Sequence, residues 1–312
     1  MEQEHKRRVR YKGTHPRSYR EKYKELNPEK YQADVEKIVQ SGKTPAGMHI
    51  PIMVEEILDV LQIQPGQTGY DATLGYGGHT RRMLEALQGQ GHLYATDVDP
   101  IESEKTRKRL ADLGVSSMQI DDPERGFTFK YDGPLDLRLD PTSGVPAAVR
   151  LRELDQEELT ALLVENADEP YAAAIAKAVR KVFKSGGAIE TTKQLAAVIE
   201  SALSFLPQAE RREAVKKSCQ RTFQALRIDV NSEFEVLYSF LEKLPDILKS
   251  GGRAAVLTFH SGEDRLVKQA FRQYQRQGIF SEVSQDVIRP SAQECYQNPR
   301  ARATKLRWAV RA

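Results

Sequence analysis

The stretch Asp71-Ala72-Thr73-Leu74-Gly75-Tyr76-Gly77-Gly78-His79-Thr80 decides the fold, together with the run His92-Leu93-Tyr94-Ala95-Thr96-Asp97-Val98-Asp99 that follows it. The pattern predicts a strand, a glycine-rich turn, a helix of about ten residues and a second strand that ends in two carboxylates. Glycine lets the backbone turn sharply and approach a ligand, because no Cβ stands in the way. The stretch therefore predicts half of a nucleotide-binding α/β unit.

Asp97 closes the second strand about 20 residues after the glycine turn, where an acid can accept hydrogen bonds from ribose hydroxyls. The turn lacks the final glycine of the dinucleotide fingerprint, because Thr80 stands in its place. A tight turn without any ligand is the alternative interpretation. A nicotinamide-dependent dehydrogenase shares the pattern of turn and acid, and the missing glycine disfavours it.

Bulk composition indicates a globular protein with one large or two ordinary domains: the chain has 312 residues, 39% hydrophobic and 29% charged. No apolar run approaches the roughly 18 residues of a membrane span, and the N-terminus lacks the apolar region of a secretion signal. The two cysteines, Cys219 and Cys295, lie far apart. We therefore expect a cytoplasmic protein with no disulfide framework and no metal site.

Positive charge is concentrated at both ends of the chain. Residues 1–46 carry 12 Lys/Arg against 7 Asp/Glu, and residues 265–312 carry 10 against 3. Residues 111–170 carry 5 Lys/Arg against 14 Asp/Glu. Basic ends suit a polyanionic partner, and solubility explains an excess of this size equally well.

Hydrophobic periodicity places helices in the middle of the chain and strands near its end. Helical patterns cover residues 157–183, 192–203 and 223–244. The run 254–259 predicts a short buried strand of the parallel type, and His260-Ser261-Gly262-Glu263-Asp264-Arg265 opens a helix after it. Residues 280–283 and 306–310 predict two last strands that pair as a hairpin. The central helices therefore predict a helical insertion in an α/β fold.

Several segments together carry a family resemblance. They are His49-Ile50-Pro51-Ile52-Met53, the turn 71–79, Asp97-Val98-Asp99-Pro100, residues 112–140, Thr222-Phe223-Gln224-Ala225-Leu226-Arg227-Ile228, Asn231-Ser232-Glu233, Phe259-His260-Ser261-Gly262-Glu263-Asp264-Arg265 and Asn298-Pro299-Arg300-Ala301-Arg302. In these segments, which span most of residues 49–312, the chain resembles the RsmH (MraW-type) ribosomal RNA small-subunit methyltransferases. Residues 1–46 fall outside the common core of that family and match a longer variant.

The resemblance implies an α/β fold, namely a Rossmann-like S-adenosylmethionine-dependent methyltransferase sheet with a helical insertion domain. It implies methylation of the exocyclic N4 of a cytidine in the decoding region of 16S (small-subunit) rRNA. The implied partner is small-subunit ribosomal RNA or the assembling small subunit, and a homodimer is a candidate assembly of the chain. The implied cofactor contacts are Gly77, Gly78, His79, Asp97, Asp112 and Gln119.

The chain departs from the family between Asp99 and Asp112. Family members hold a helix, strand three, another helix and part of strand four there, whereas only residues 100–111 lie between the two acids here. A parallel crossover needs a dozen or more residues besides its strand. We therefore expect strand three to be missing. Because of this gap, the alternative to an active methyltransferase is a catalytically impaired relative that binds rRNA, or a truncated gene product.

Candidate chemistry lies at strand ends and in a basic run. We expect Asp112 and His260 to be catalytic, with Asp112 close to the cofactor or base and His260 positioning a flipped base. A histidine satisfied by its neighbours is the alternative for His260, and a structural ion pair is favoured for Asp264 and Arg265. Arg300, Arg302 and Arg307 are candidate RNA-phosphate contacts, or else part of a solvated edge.

The expected division of the chain follows these patterns. Residues 1–46 form a basic N-terminal extension, and residues 47–140 form the first part of the methyltransferase core. The helical insertion covers residues 141–222. The second part of the core covers residues 223–312.

Overall fold

A computed structural model describes residues 51–75, 77–100, 103, 106 and 132–312. The expected N-terminal extension lies outside these residues, as do Asp112, Gln119 and most of the short connection after Asp99. Of the described helices, none is long and apolar enough to cross a membrane.

The described part of the chain is a mixed α/β fold whose elements follow the expected order. We number them from the first described helix. The elements are α1 (Val54–Leu61), β1 (Thr68–Asp71), α2 (Gly78–Leu87), β2 (His92–Ala95), α3 (Ala147–Glu153), α4 (Gln156–Ala167), α5 (Ala172–Lys184), α6 (Thr192–Ala202), α7 (Gln208–Asn231), α8 (Glu233–Ile247), β3 (Arg253–Thr258), α9 (Ser261–Arg276), β4 (Phe280–Val283), α10 (Ala292–Gln297), a 3₁₀ helix (Pro299–Ala303) and β5 (Lys305–Arg311).

Two groups of strands are described. Strands β1 and β2 pair in parallel, with Asp71 opposite Ala95 at their carboxyl ends. Strand β5 lies between β3 and β4 and pairs antiparallel with both. The predicted pairing of the last two strands is confirmed. The described partner of β3 is antiparallel to it, and a parallel partner for that strand stays a prediction.

The helical insertion has its own hydrophobic core. Leu135 and Leu137 join this core from the segment before α3, and Phe223 and Leu226 join it from α7. The helical run predicted over residues 157–183 is two helices, because Asp168 takes a left-handed conformation at the end of α4. The predicted boundary between residues 222 and 223 falls inside α7, so that helix serves both the insertion and the core that follows it.

Two smaller cores support the strands. Val267 and Phe271 of α9 pack with Phe280 and Ala309 of the three-stranded sheet. Ile52, Met53 and Ile57 pack with Ala301 and Leu306, which are close to the end of the chain. The segment before α1 is therefore tied to the last strand, and both cores hold strand ends in place beside the candidate site.

Candidate functional site

The glycine turn after β1 requires glycine at two positions. Gly75 has φ 45° and Gly77 has φ 76°, in the left-handed region that side chains with a Cβ rarely adopt. The Gly77 amide donates to the Leu74 carbonyl at 2.7 Å, and Gly77 is the N-cap of α2. Within the described residues, no side chain accepts from the first-turn amides of α2. The turn thus presents uncapped backbone donors next to its glycines.

Asp97 connects the end of β2 to this turn. Its Oδ2 accepts a hydrogen bond from the Gly75 amide at 2.6 Å, and its Oδ1 accepts one from the Asp99 amide at 2.9 Å. Because β1 and β2 are parallel, their carboxyl ends meet at one edge of the sheet. The structure therefore brings together the turn and the acid that the spacing paired. Asp97 is half-buried, and each carboxylate oxygen keeps further acceptor capacity.

Asp71, the last residue of β1, holds the glycine turn and the start of α2 together through side-chain hydrogen bonds. The sequence alone did not predict this role. The side chain is buried, and its Oδ2 accepts from the Thr80 hydroxyl at 2.6 Å. Its Oδ1 accepts from the Thr73 amide at 3.0 Å. The only sequence signal is a carboxylate at the end of a strand, with a threonine in the first turn of the next helix.

Gly78 and His79 contact the segment before α1. A Cβ on Gly78 would lie 2.9 Å from the Pro51 ring, so close packing there requires glycine. The His79 Nε2 lies 2.9 Å from the Ile52 carbonyl oxygen. The structure gives both residues a structural contact, and their role in cofactor binding stays a prediction.

This segment is held from a second side. The Met53 amide donates to Glu294 Oε1 at 2.8 Å, which connects the start of α1 to α10. Ile52 and Met53 also pack with Ala301, so the motif before α1 and the motif at residues 298–302 are neighbours in the fold. Met53 and Glu294 are 241 residues apart in the sequence, so no local pattern predicts their contact.

His260 follows β3 and is the N-cap of α9. Its Nδ1 accepts from the Glu263 amide at 3.4 Å, and Glu263 Oε2 accepts from the amides of His260 at 3.3 Å and Phe259 at 2.7 Å. Side chain and backbone therefore form a reciprocal capping box. The cap uses the imidazole nitrogen that lacks a proton in this arrangement.

The other imidazole nitrogen of His260, Nε2, is buried from solvent. Nε2 lies 3.3 Å from Glu263 Oε1, and the edge of the Phe234 ring packs against the imidazole with centroids 5.7 Å apart. The buried Nε2 has no exposed surface with which to contact a base in this structure, and the expected roles of His260 in catalysis and in positioning a flipped base stay predictions. The capped Nδ1 and the Phe234 contact give His260 a structural setting at the strand end, whereas its buried Nε2 has no hydrogen-bond partner among the described residues.

An ion pair lies beside this cap. Arg227 donates to Glu233 from Nε at 2.7 Å and from a terminal nitrogen at 2.9 Å. Burial would raise the pKa of Glu263, but the hydrogen bond and charge of His260, the Phe259 amide and Arg227 lower it on balance. Ligand atoms of Glu233, His260 and Glu263 lie within 4.8 Å of one another, and these partners already engage both carboxylates.

Asp264 forms the structural ion pair that the sequence reasoning favoured for it. Its carboxylate accepts from Arg307 Nε at 2.7 Å and from Lys305 Nζ at 3.2 Å. Burial opposes ionisation, but the two cations lower the pKa of Asp264 on balance. Arg307 is only 5% exposed. The expectation that Arg307 contacts RNA phosphate is therefore wrong, because its guanidinium is committed inside the domain.

Arg300 and Arg302 have a different setting from Arg307. Both are exposed on the 3₁₀ helix, whose start is capped by the Asn298 side chain accepting from the Arg300 amide at 3.2 Å. Their contact with RNA stays a prediction. Asp112 and Gln119, which were expected near the methyl-donor end, lie outside the described residues.

Asn231 organises a loop that the sequence reasoning did not single out as part of the site. Its Nδ2 donates to the Leu137 carbonyl at 2.8 Å, and its Oδ1 accepts from the Leu139 amide at 2.7 Å. Between them Leu137 is buried with φ 65°, an unusual backbone state for a residue other than glycine. Asp136 and Arg138 pair across it at 2.7 Å. The end of α7 therefore fixes the chain that follows the predicted strand four.

Comparisons with known proteins agree on one family. The sequence model of the MraW methylase family matches residues 46–112 and 103–312. The chain is 59% identical to "Ribosomal RNA small subunit methyltransferase H 1" of Agathobacter rectalis, over 100% of this chain and 99% of that protein. It is 37% identical to "Ribosomal RNA small subunit methyltransferase H" of Thioalkalivibrio sulfidiphilus, over 87% of this chain and 99% of that protein.

Two details of these matches concern the predicted departures. The family model matches in two pieces that meet at residues 103–112, and its match starts at residue 46, where the predicted extension ends. The Agathobacter rectalis alignment spans 345 positions, 33 more than the 312 residues of the chain. This alignment therefore includes at least 33 positions that have no counterpart in the chain.

Proposed function

Because the chain belongs to the MraW methylase family, a family of methyltransferases, we propose that it methylates the exocyclic N4 of a cytidine in the decoding region of 16S rRNA. S-adenosylmethionine is the proposed methyl donor. The names of the relatives support methylation of small-subunit ribosomal RNA. The cytosine N4 atom and the decoding region come from the resemblance, and the proposed cytoplasmic location comes from the two distant cysteines and the polar N-terminus.

The observation that carries the proposal is the Asp97 carboxylate lying across the glycine turn. A half-buried carboxylate with spare acceptor capacity fits the hydroxyls of a ribose. Gly75 and Gly77 offer backbone without a Cβ beside it, and the uncapped start of α2 offers amide donors. These residues fit S-adenosylmethionine, which supplies a methyl group on a positively charged sulfur.

The target nitrogen sets what the protein must provide. The lone pair of cytosine N4 is delocalised into the ring, so an acceptor for an N4 hydrogen favours the reaction. We propose Asp112 for this role. Phe259 is 50% exposed directly after β3 and offers an aromatic face on which an extruded base can stack. His260 and Glu263 position Phe259 through the cap of α9.

The first experiment separates ligand classes. Calorimetric titration of the purified chain with S-adenosylmethionine and, separately, with NAD is expected to show binding of S-adenosylmethionine alone. Small subunits that lack the modification are then incubated with the chain and S-adenosylmethionine, and the modified nucleotide is located by mass spectrometry. Methylation at a base other than cytidine, or tighter binding of NAD, contradicts the proposal.

One observation favours a second candidate, a catalytically impaired relative that still binds ribosomal RNA. The family match breaks at residues 103–112, and the Agathobacter rectalis alignment includes at least 33 positions that have no counterpart in the chain. A chimera that receives the corresponding segment of the Agathobacter rectalis protein tests it. Much higher activity of the chimera supports impairment, whereas equal activity shows that the short connection is tolerated. Light scattering on both proteins tests the proposed homodimer.

A further inference from the structure

Helix α9 carries four cations on one face. Arg265, Lys268, Arg272 and Arg276 follow one another at intervals of three, four and four residues, which keeps them within one side of the helix. With a rise of about 1.5 Å per residue, the set extends over roughly 16 Å. We call these four residues the α9 basic stripe. It begins little more than one helical turn after the His260 cap.

Among the residues that the structure describes, no acid pairs with this stripe. The two acids of the same helix, Glu263 and Asp264, are turned to other partners, namely the His260 cap and the Arg307–Lys305 pair. The polar contact of the stripe itself is from Arg276 Nε to the Arg272 carbonyl at 3.3 Å. The three arginines are exposed, and Lys268 is half-buried.

Repulsion between the like charges of the α9 basic stripe destabilises α9. Lys268 and Arg272 are like charges at i,i+4, as are Arg272 and Arg276, and each such pair costs about 0.2–0.5 kcal/mol. A solvated helix face usually alternates signs and avoids this cost. A polyanion bound along the face would convert the repulsion into attraction.

The rest of α9 holds the stripe rigidly toward solvent. Val267 and Phe271 on the opposite side are buried against the three-stranded sheet. None of the large hydrophobic side chains of α9 is exposed, so the helix lacks the apolar anchors with which a membrane-surface helix inserts. Arginine, three of the four cations, binds phosphate through two parallel hydrogen bonds.

We propose that the α9 basic stripe binds the phosphate backbone of the RNA substrate beside the target nucleotide. The proposal rests on the proposed function, because that function supplies the RNA. The length of the stripe suits several consecutive phosphates, and its position after the Phe259–His260 turn places them next to the proposed base-stacking residue.

The test removes three charges with the variant R265Q/R272Q/R276Q. Binding to small-subunit RNA and to unmodified small subunits is measured at several salt concentrations. The salt slope is the magnitude of the slope of the logarithm of the binding constant plotted against the logarithm of the salt concentration. Each lost phosphate contact on a single strand lowers it by about 0.7, so the loss of three contacts is expected to lower it by about 2. We expect KM for the subunit to rise about tenfold, kcat to stay within about twofold and S-adenosylmethionine affinity to be unchanged.

A matched control is available on α5. Lys177, Lys181 and Lys184 are exposed on one face of that helix, which packs on α4 and α6 within the helical insertion. The variant K177Q/K181Q/K184Q removes the same charge and is expected to leave the salt slope nearly unchanged. Thermal unfolding of both variants checks their folding, and relief of like-charge repulsion is expected to keep R265Q/R272Q/R276Q at least as stable as the parent.

The outcomes separate the two proposals. Methylation with an unchanged salt slope, or an equal drop in the α5 variant, overturns the stripe and leaves the proposed function standing. A lower slope for RNA binding without any methylation supports the stripe and contradicts the proposed function. Weaker binding to the assembled subunit with unchanged binding to its naked RNA assigns the stripe to an acidic protein partner and overturns the proposal.

Discussion

Two strand-to-helix turns of this molecule are built in opposite ways. After β1 the chain turns on Gly75 and Gly77, and α2 begins without a side-chain cap. After β3 the chain turns at His260, and α9 begins with a reciprocal cap between His260 and Glu263. The first turn leaves backbone donors open, whereas the second satisfies its donors from within.

Because only the turn after β3 is capped by a side chain, we expect the turn after β1 to bind a ligand and the turn after β3 to support the fold. An uncapped helix start with glycines and a nearby carboxylate can accept a ligand that has both acceptors and hydroxyls. A capped start that is also anchored by Asp264 to Arg307 is a rigid support. We therefore expect substitutions at the β1 turn to change cofactor affinity, and substitutions at the β3 turn to change stability.

The largest expected effect is on the ion pair behind the β3 turn. Asp264→Ala leaves the buried Arg307 without its partner, and breaking such a pair costs about 3–5 kcal/mol in the free energy of unfolding. Urea unfolding measures the loss. Glu85→Ala is the control, because it removes only exposed helix pairs, with Arg81 at i,i+4 and with Arg82 at i,i+3, each worth about 0.2–0.5 kcal/mol.

The same pair gives a pH dependence. The folded-state pKa of Asp264 lies below its ordinary value, so the stabilisation is complete above that ordinary value and is lost as pH falls through the folded-state pKa. The difference in unfolding free energy between the parent and Asp264→Ala is therefore expected to shrink below about pH 4. A constant difference down to pH 2 would show that the carboxylate charge is not the source.

The next effect concerns the β1 turn. Asp97→Ala removes the acceptor of the Gly75 amide and the proposed acceptor of the ribose hydroxyls. Loss of charge-assisted hydrogen bonds worth about 1.5–3 kcal/mol lowers S-adenosylmethionine affinity about 10- to 100-fold. Calorimetry on Asp97→Ala and Asp99→Ala compares the two acids. A larger loss of affinity for Asp99→Ala would identify Asp99 as the ligand-binding acid.

The smallest effect tests the cap itself. His260→Ala is expected to reduce stability by about 0.5–2 kcal/mol, the usual value of an N-cap, and to leave cofactor affinity within about twofold. Loss of the cap in His260→Ala is also expected to lower the methylation rate, because the cap positions Phe259. His260→Asn keeps a capping acceptor, so we expect its stability and its methylation rate to be close to those of the parent. Restored stability with lost methylation would give the imidazole a catalytic task beyond the cap.

Sequence reasoning predicted the parts of this site that depend on spacing along the chain. The distance from the glycine turn to Asp97 placed both at one edge of the sheet, where the structure shows a hydrogen bond between Gly75 and Asp97, and ribose binding by Asp97 stays a prediction. The final strands and the helical insertion also follow from periodicity. The family assignment follows from the order of several motifs and is confirmed by the matches to the family model and to its members.

The roles of individual side chains were harder to predict, because they depend on contacts between distant segments. His260 and Arg307 both have residue types that suit catalysis or RNA binding. Burial against Phe234 and Glu263 gives the first a structural role, and pairing with Asp264 does the same for the second. The sequence contains almost no pattern that predicts the hydrogen bond between Asp71 and Thr80 or the packing of Pro51 against the start of α2.

The sequence by itself determined the glycine turn, the acid beside it and the methyltransferase family, because glycine requirements and strand spacing are local properties of the chain. Only the tertiary structure decided which charged side chains are exposed. Folding buries Arg307 against Asp264, since a buried charge needs a partner, and it engages the His260 Nδ1 in the cap of α9. It leaves the cations of α9 on the surface, because the opposite face of that helix holds the apolar residues.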